Sequence, residues 1–190
     1  EMCIRDRPGF LGLYGFPATA CISINEEIVH GIPGDRVVQA GDLVTLDCGA
    51  IVDGYNSDHA VTQVAGPSTS EKDDLIETTR ESLEMGIRAA WSGNRVGDIS
   101  NAIESHVLTK SYELVREYVG HGIGKDLHEP PQIPNFGPAG HGLELKAGLV
   151  LAIEPMVNAG GWKTRILDDG WTVVTEDDAL SCHFVHTVAI

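Results

Sequence analysis

The sequence predicts an α+β fold, with helices packed on one side of a largely antiparallel sheet, and three observations carry that expectation. Residues 20–64 read as strand, with β-branched and apolar residues punctuated at Pro33-Gly34 and Gly41-Asp42. The apolar period then lengthens to that of a helix over residues 70–110 before returning to short extended runs that reach Ile190. At 190 residues, 42% hydrophobic and 22% charged, the chain holds enough apolar material for one compact domain with a substantial core.

Each element has its own signal. Glu1–Arg7 (EMCIRDR) share no pattern with the rest of the chain and are read as an artefactual leader, which leaves 8–190 as a single domain. Val44 to Thr62 alternate apolar and polar residues around Asp53-Gly54, a dipeptide that favours a two-residue type I′ turn. That turn sets Val52 opposite Tyr55 and Gly49 opposite Asp58. Asp47 then becomes the diagonal neighbour of Asp58 on one face, roughly 7–8 Å away between β-carbons. The same face carries Thr45, Gly49, Asn56, Ala60 and Thr62 and is expected to be an open polar floor, while Val44, Leu46, Cys48, His59 and Val61 are expected to face the core.

Leu75, Ile76, Leu83, Ile87 and Ala90 mark an amphipathic helix from Ser70 to about Trp91, opened by Ser70 with Asp73 three residues on. Ile99, Ile103, His106 and Val107 mark a second from about Val96 to Lys110. Strands are expected again at 113–119, 148–154, 171–175 and 184–190, with a Gly/Pro-rich loop at 120–142.

Composition removes several function classes. A net charge of −15, from 28 acids against 13 bases, argues against a general nucleic-acid surface, because phosphate binding needs clustered Lys and Arg. No apolar stretch is long enough to cross a bilayer and no charged-then-apolar leader opens the chain, so neither membrane nor export is expected. Cys3, Cys21, Cys48 and Cys182 lack CxxC pairing, which fits reduced thiols and a cytoplasmic location.

The chemistry concentrates in a few residues. Asp47 and Asp58 aim two like charges at one spot, an arrangement that is costly unless a proton or a cation sits between them, although a solvated face competes with that reading. Gly120-His121-Gly122-Ile123-Gly124 surrounds an imidazole with residues that let a ligand approach it closely. His128 comes seven residues later, and two histidines in one loop point to a site. The apolar run Leu149 to Ile153 ends at Glu154, before Pro155, and an acid there is expensive unless it is paired or metal-bound.

The strings CISINEEIVHGIPG, GDLVTLDCGAIVDGYNSD, VGHGIGKDLHEPPQ, LAIEPMVNAG and DGWTVVTEDDALS resemble, in order across residues 8–190, the successive signatures of type I methionine aminopeptidases. The resemblance implies the pita-bread fold, two pseudo-symmetric halves whose sheets form a cleft for two divalent cations (cobalt, manganese, iron or zinc). It implies removal of the initiator methionine from nascent polypeptide N-termini by a water that the cations activate. Asp47, Asp58, His121 and Glu154 match four of the family's five metal-binding residues, and Glu154 would also handle the proton. His30 matches the histidine near the scissile amide, and His128 the one that stabilises the tetrahedral intermediate. Cys21, Phe16, Leu127 and Trp171 match the pocket for the methionine side chain. The implied partners are nascent N-termini with the ribosome nearby, without nucleic acid or membrane, and the chain is expected to be a monomer.

The pattern breaks at the fifth ligand, a glutamate before His-Thr in the last strand, where this chain has Val185-His186-Thr187. Valine has no donor atom, so the second cation is expected to bind weakly. His183 should share a strand face with Val185 and offers a nitrogen from about 7 Å away. The family's opening segment precedes Pro8. A sequence error, a one-metal enzyme and a catalytically impaired pita-bread homologue that binds peptides or protein termini without cleaving them are all compatible with Val185. A metal-free hydrolase fits less well, because four ligands are retained.

Overall fold

The computed structural model describes residues 6–190; Glu1–Arg5, and with them most of the leader and Cys3, lie outside the described residues. The strands in chain order are β1 (Arg7–Pro8), β2 (Cys21–Ile24), β3 (Glu27–Val29), β4 (Leu43–Val52) and β5 (Tyr55–Val64). After helices α1 (Ser70–Ala89) and α2 (Val96–Leu108) come β6 (Glu113–Leu114), β7 (Gly120–Gly122), β8 (Glu129–Ile133), β9 (Val150–Ile153), β10 (Met156–Asn158), β11 (Thr164–Ile166), β12 (Val173–Thr175), β13 (Ser181–His183) and β14 (Val185–Ala189). Arg7 and Pro8 pair with Ile51 and Ala50.

The main sheet runs β1-β4-β5-β14-β9-β7-β8, with β2 also on β4, and its ladders are antiparallel. Its longest pairing is the β4–β5 hairpin. Asp53 and Gly54 adopt φ of 50° and 84°, the two positive values that a type I′ turn requires, and the register agrees, with Val52 opposite Tyr55 and Gly49 opposite Asp58. β14 is the hinge of the topology: it pairs with β5 on one side and with β9 on the other, and so joins the hairpin to the strands beyond the helices. Two three-stranded sheets, β13-β10-β6 and β11-β12-β3, complete the framework.

α1 begins at Ser70 as expected, but Thr69 and not Ser70 caps it, by accepting from the Lys72 N–H. α2 begins where expected, and the Asp98 carboxylate accepts from the Arg95 N–H at 2.7 Å. The helices pack on each other and on the sheet through Leu75, Leu83, Ile99, Ile103 and Val107, together with Leu151 and Ile153 of β9. Gly86 makes the close approach possible: a β-carbon there would stand 2.9 Å from Ile103 Cδ1 and 3.4 Å from Ile153 Cγ2. The expected loop at 120–142 contains β7 and β8, which the glycines and prolines hid. The expected last strand forms as β14, and the break at Phe184 separates it from β13, which sequence reasoning did not anticipate and which belongs to a different sheet. Ile103 is fully buried at the junction of both helices and the sheet. Ile103→Ala should therefore lower unfolding free energy by about 2–5 kcal/mol in denaturant melts.

Candidate active site

The hairpin brings Asp47 and Asp58 to one face, but that face is not the open floor expected from the alternation. Asp47, Asp58, Thr45 and Thr62 are all buried, whereas Leu46, Cys48 and His59 on the opposite face are exposed. The parity of the strand was right and the burial assignment was reversed, because α1 and α2 cover only the part of the outer face that includes Ile153 and Val188. His59 and His186 stack on that outer face with ring centroids 4.9 Å apart. Threonines tie the buried face together: Thr45 and Thr62 hydroxyls lie 2.7 Å apart, Thr62 Oγ1 donates to the His183 carbonyl, and Thr187 Oγ1 accepts from the Asp58 N–H and donates to the Asp58 carbonyl.

His121 sits on β7, opposite Ala152 of β9. The glycines beside it have a different reason from the one their sequence suggested. A β-carbon on Gly120 would stand 2.5 Å from the Ala152 carbonyl oxygen, and one on Gly122 would stand 2.3 Å from that of Pro130. Neighbouring backbone, not an incoming ligand, excludes side chains there. The His121 Nδ1 lies 2.8 Å from the Gly122 carbonyl, which can only accept, so Nδ1 carries the proton and the Nε2 lone pair faces inward. Nε2 is 3.3 Å from Glu154 Oε1 and 3.7 Å from Asp58 Oδ2.

These side chains line one cavity of about 190 Å³ together with His30, His128, His183, Phe10, Phe16, Cys21, Leu127 and Trp171. Every residue singled out as a ligand, catalytic group or pocket wall thus lies around the same space. At the apolar end, Phe16 meets Trp171 edge-on at 5.2 Å, and both pack with Cys21 and Leu127. Burial, reinforced by the charges of Asp47 and Asp58, pushes the Cys21 thiol far above its usual range and keeps it protonated. Sequence reasoning missed Phe10, Tyr14, Tyr118 and Met156, which share the lining. Tyr14 stacks on His128, with its hydroxyl 3.4 Å from Nδ1.

His30 takes φ of 62°, a left-handed value that costs a non-glycine residue about 1 kcal/mol or more and persists only where the surroundings enforce it. The next residue supplies the enforcement. A β-carbon on Gly31 would stand 2.2 Å from the Ile22 carbonyl oxygen, and its N–H donates to Ser23 Oγ. Burial first, and the neighbouring His128 second, hold the His30 pKa below its usual value. Burial and then His121 do the same to His128.

The cavity holds more acid than it neutralises. Burial, then the charge of Asp58, raises the Asp47 carboxyl well above the usual range, and burial together with Asp58 and Asp47 does the same to Glu154. Asp47 Oδ1, Asp58 Oδ1, Glu154 Oε1 and both ring nitrogens of His183 are buried without a hydrogen-bond partner. Among the described residues no group of three or more His, Cys, Asp and Glu side chains is already set to hold an ion. The donor chemistry nevertheless fits a divalent metal: orphaned carboxylate oxygens and imidazole nitrogens converge on one cavity, where a cation would relieve them together. Val185 brings no donor; it packs with Ala60 and Ala152 as an apolar patch on the same face.

Asp47→Asn removes one of the crowded charges and should raise the melting temperature of the metal-free protein by a few degrees, equivalent to about 1–3 kcal/mol, while weakening divalent-metal binding measured by calorimetry. Gly31→Ala should destabilise by about 3 kcal/mol or more in thermal melts, because backbone atoms cannot yield to the new methyl group.

Residues 1–190 match the sequence profile of metallopeptidase family M24. A methionine aminopeptidase of Clostridium perfringens is 51% identical over 183 residues, covering 96% of this chain and 74% of that protein. The crystal structure of methionine aminopeptidase from Thermotoga maritima superposes with a TM-score of 0.96 at 44% identity, over 98% of this chain and 75% of the other. Prolidase from Pyrococcus furiosus, at 24% identity and a TM-score of 0.72 over 90% of this chain and 45% of its own, shares the fold alone. Among the described residues no helix is long and apolar enough to cross a membrane. A profile that spans the whole chain, close relatives of one kind and a matching pita-bread framework mean that the chain belongs to metallopeptidase family M24 and, within it, to the type I methionine aminopeptidases.

Proposed function

We propose that this chain removes the initiator methionine from nascent polypeptides, with Asp47, Asp58, His121 and Glu154 as the residues that hold divalent cations. The observation that carries the proposal is adjacency: an apolar pocket walled by Phe16, Cys21, Leu127 and Trp171 opens directly onto the acidic and imidazole donors. A thioether suits those walls, since sulfur packs favourably against aromatic edges. Bound cobalt, manganese, iron or zinc would polarise the scissile carbonyl, anchor the free amino group and make water acidic enough to ionise near neutral pH.

The chain's own groups complete the reaction. Glu154 is buried beside the other acidic donors, where its carboxylate would take and return the proton. A Tyr14 phenol that donates to His128 Nδ1, 3.4 Å away, would leave the ring proton of His128 on Nε2, the tautomer able to donate to a developing oxyanion. His30, kept neutral by burial, would hold the amide nitrogen of the second residue. The closed apolar end excludes water from the methionine side chain and favours substrates whose first residue is long and unbranched.

A second reading, an impaired homologue that binds peptide termini without cleaving them, draws support from Val185, whose methyl groups pack on Ala60 and Ala152 where the family pattern has a carboxylate. Methionine release from a Met-Gly-type peptide, with bound metal quantified, separates the two. The chain should turn over, and Val185→Glu should raise both metal content and rate, the latter roughly tenfold or more. Folded, metal-loaded protein that releases no methionine in either form would overturn the enzymatic reading.

A further inference from the structure

We infer that His183 is a metal ligand that takes over the coordination which Val185 does not provide, so that Glu154 bridges one position completed by His121 and another completed by His183. The inference rests on reading the cavity as a metal centre, but it concerns a residue outside the family's ligand pattern. Three observations carry it.

The first is an uncompensated polar burial. His183 is 2% exposed, and neither ring nitrogen has a hydrogen-bond partner. An imidazole enclosed without partners is costly, and the fold sustains it although an apolar residue of similar volume would avoid the penalty. The ring lines the same cavity as Asp47, Asp58, His121 and Glu154.

The second is the disposition of Glu154. Its Oε1 faces His121 Nε2 at 3.3 Å, and its Oε2 faces His183 Nε2 at 3.8 Å. Two donors on one ion, each at roughly 2.0–2.2 Å, lie no more than about 4.4 Å apart, and both separations satisfy that limit. The carboxylate therefore presents one oxygen to each imidazole.

The third is that the backbone of His183 is fixed. Its N–H donates to Thr62 Oγ1 at 3.0 Å, its carbonyl accepts from the same hydroxyl at 2.7 Å, and its strand register places it opposite Met156. A ligand held from both sides in this way needs little further ordering when an ion arrives. An imidazole in place of a carboxylate also changes selectivity: the site loses one negative charge and gains a nitrogen, which favours cobalt, nickel or zinc over the harder manganese.

The test is titration of the metal-free chain with cobalt(II), monitored by calorimetry and by proton NMR of the paramagnetic protein, in which each bound imidazole contributes a strongly shifted, exchangeable ring N–H signal. Two such signals are expected at saturation. His183→Gln should retain one, and its weaker cobalt step should lose roughly tenfold or more in affinity. Near-UV circular dichroism of the metal-free variant reports whether it folds; if it does not, the count of signals in the unsubstituted chain still decides the matter. A single signal in that chain, or binding unchanged in folded His183→Gln, overturns the inference while leaving the metal centre intact. No cobalt binding by the chain or by Val185→Glu overturns the inference together with the functional reading beneath it.

Discussion

Repulsion among buried acids is the constraint around which this molecule is arranged. Asp47, Asp58 and Glu154 share a cavity that screens them poorly from one another, and two of them are held above their ordinary pKa values by burial and by mutual charge. The β4–β5 ladder holds Asp47 and Asp58 together over ten paired rungs. β14 brings Glu154 to them by pairing with β5 on one side and β9 on the other, and Thr187 grips the backbone of Asp58 through both its N–H and its carbonyl. The framework thus keeps like charges together, a cost that a site for cations must bear before any cation arrives.

The same logic governs the histidines. Each is held in its own way: His121 through the Gly122 carbonyl, His128 beside the Tyr14 phenol, and His30 on a strained backbone seated against β2. Water is excluded on one side by the Phe16, Cys21, Leu127 and Trp171 cluster, so dipoles and charges in the cavity act at longer reach than they would on a surface. The apolar cluster and the acidic and imidazole groups therefore share one enclosure rather than separate parts of the fold.

Much of this was legible in the residues. The Asp-Gly turn determined the hairpin register to the residue, since a two-residue loop leaves no slack, and the change of period at residue 70 marked the helices to within about two positions. Other features were hidden for physical reasons. β7 consists of glycine, histidine and glycine, which carry no strand propensity, and its existence depends on the carbonyls of Ala152 and Pro130 closing over it. Which face of the hairpin is buried depends on what packs there, a long-range matter to which alternation alone is blind. His183 was expected to share one strand face with Val185, but the break at Phe184, which moves it into another sheet, has no local signature.

Cys48 and His59 face each other across the hairpin, one rung from Asp47 and Asp58, and point the opposite way. The nature of the cavity floor is therefore encoded as parity: a single-residue insertion or deletion within β4 or β5 would carry a thiol and an imidazole inward and turn carboxylates to solvent, whereas a two-residue change would restore the original order. Evolution of this segment can vary its length only in even steps without exchanging one inorganic chemistry for another.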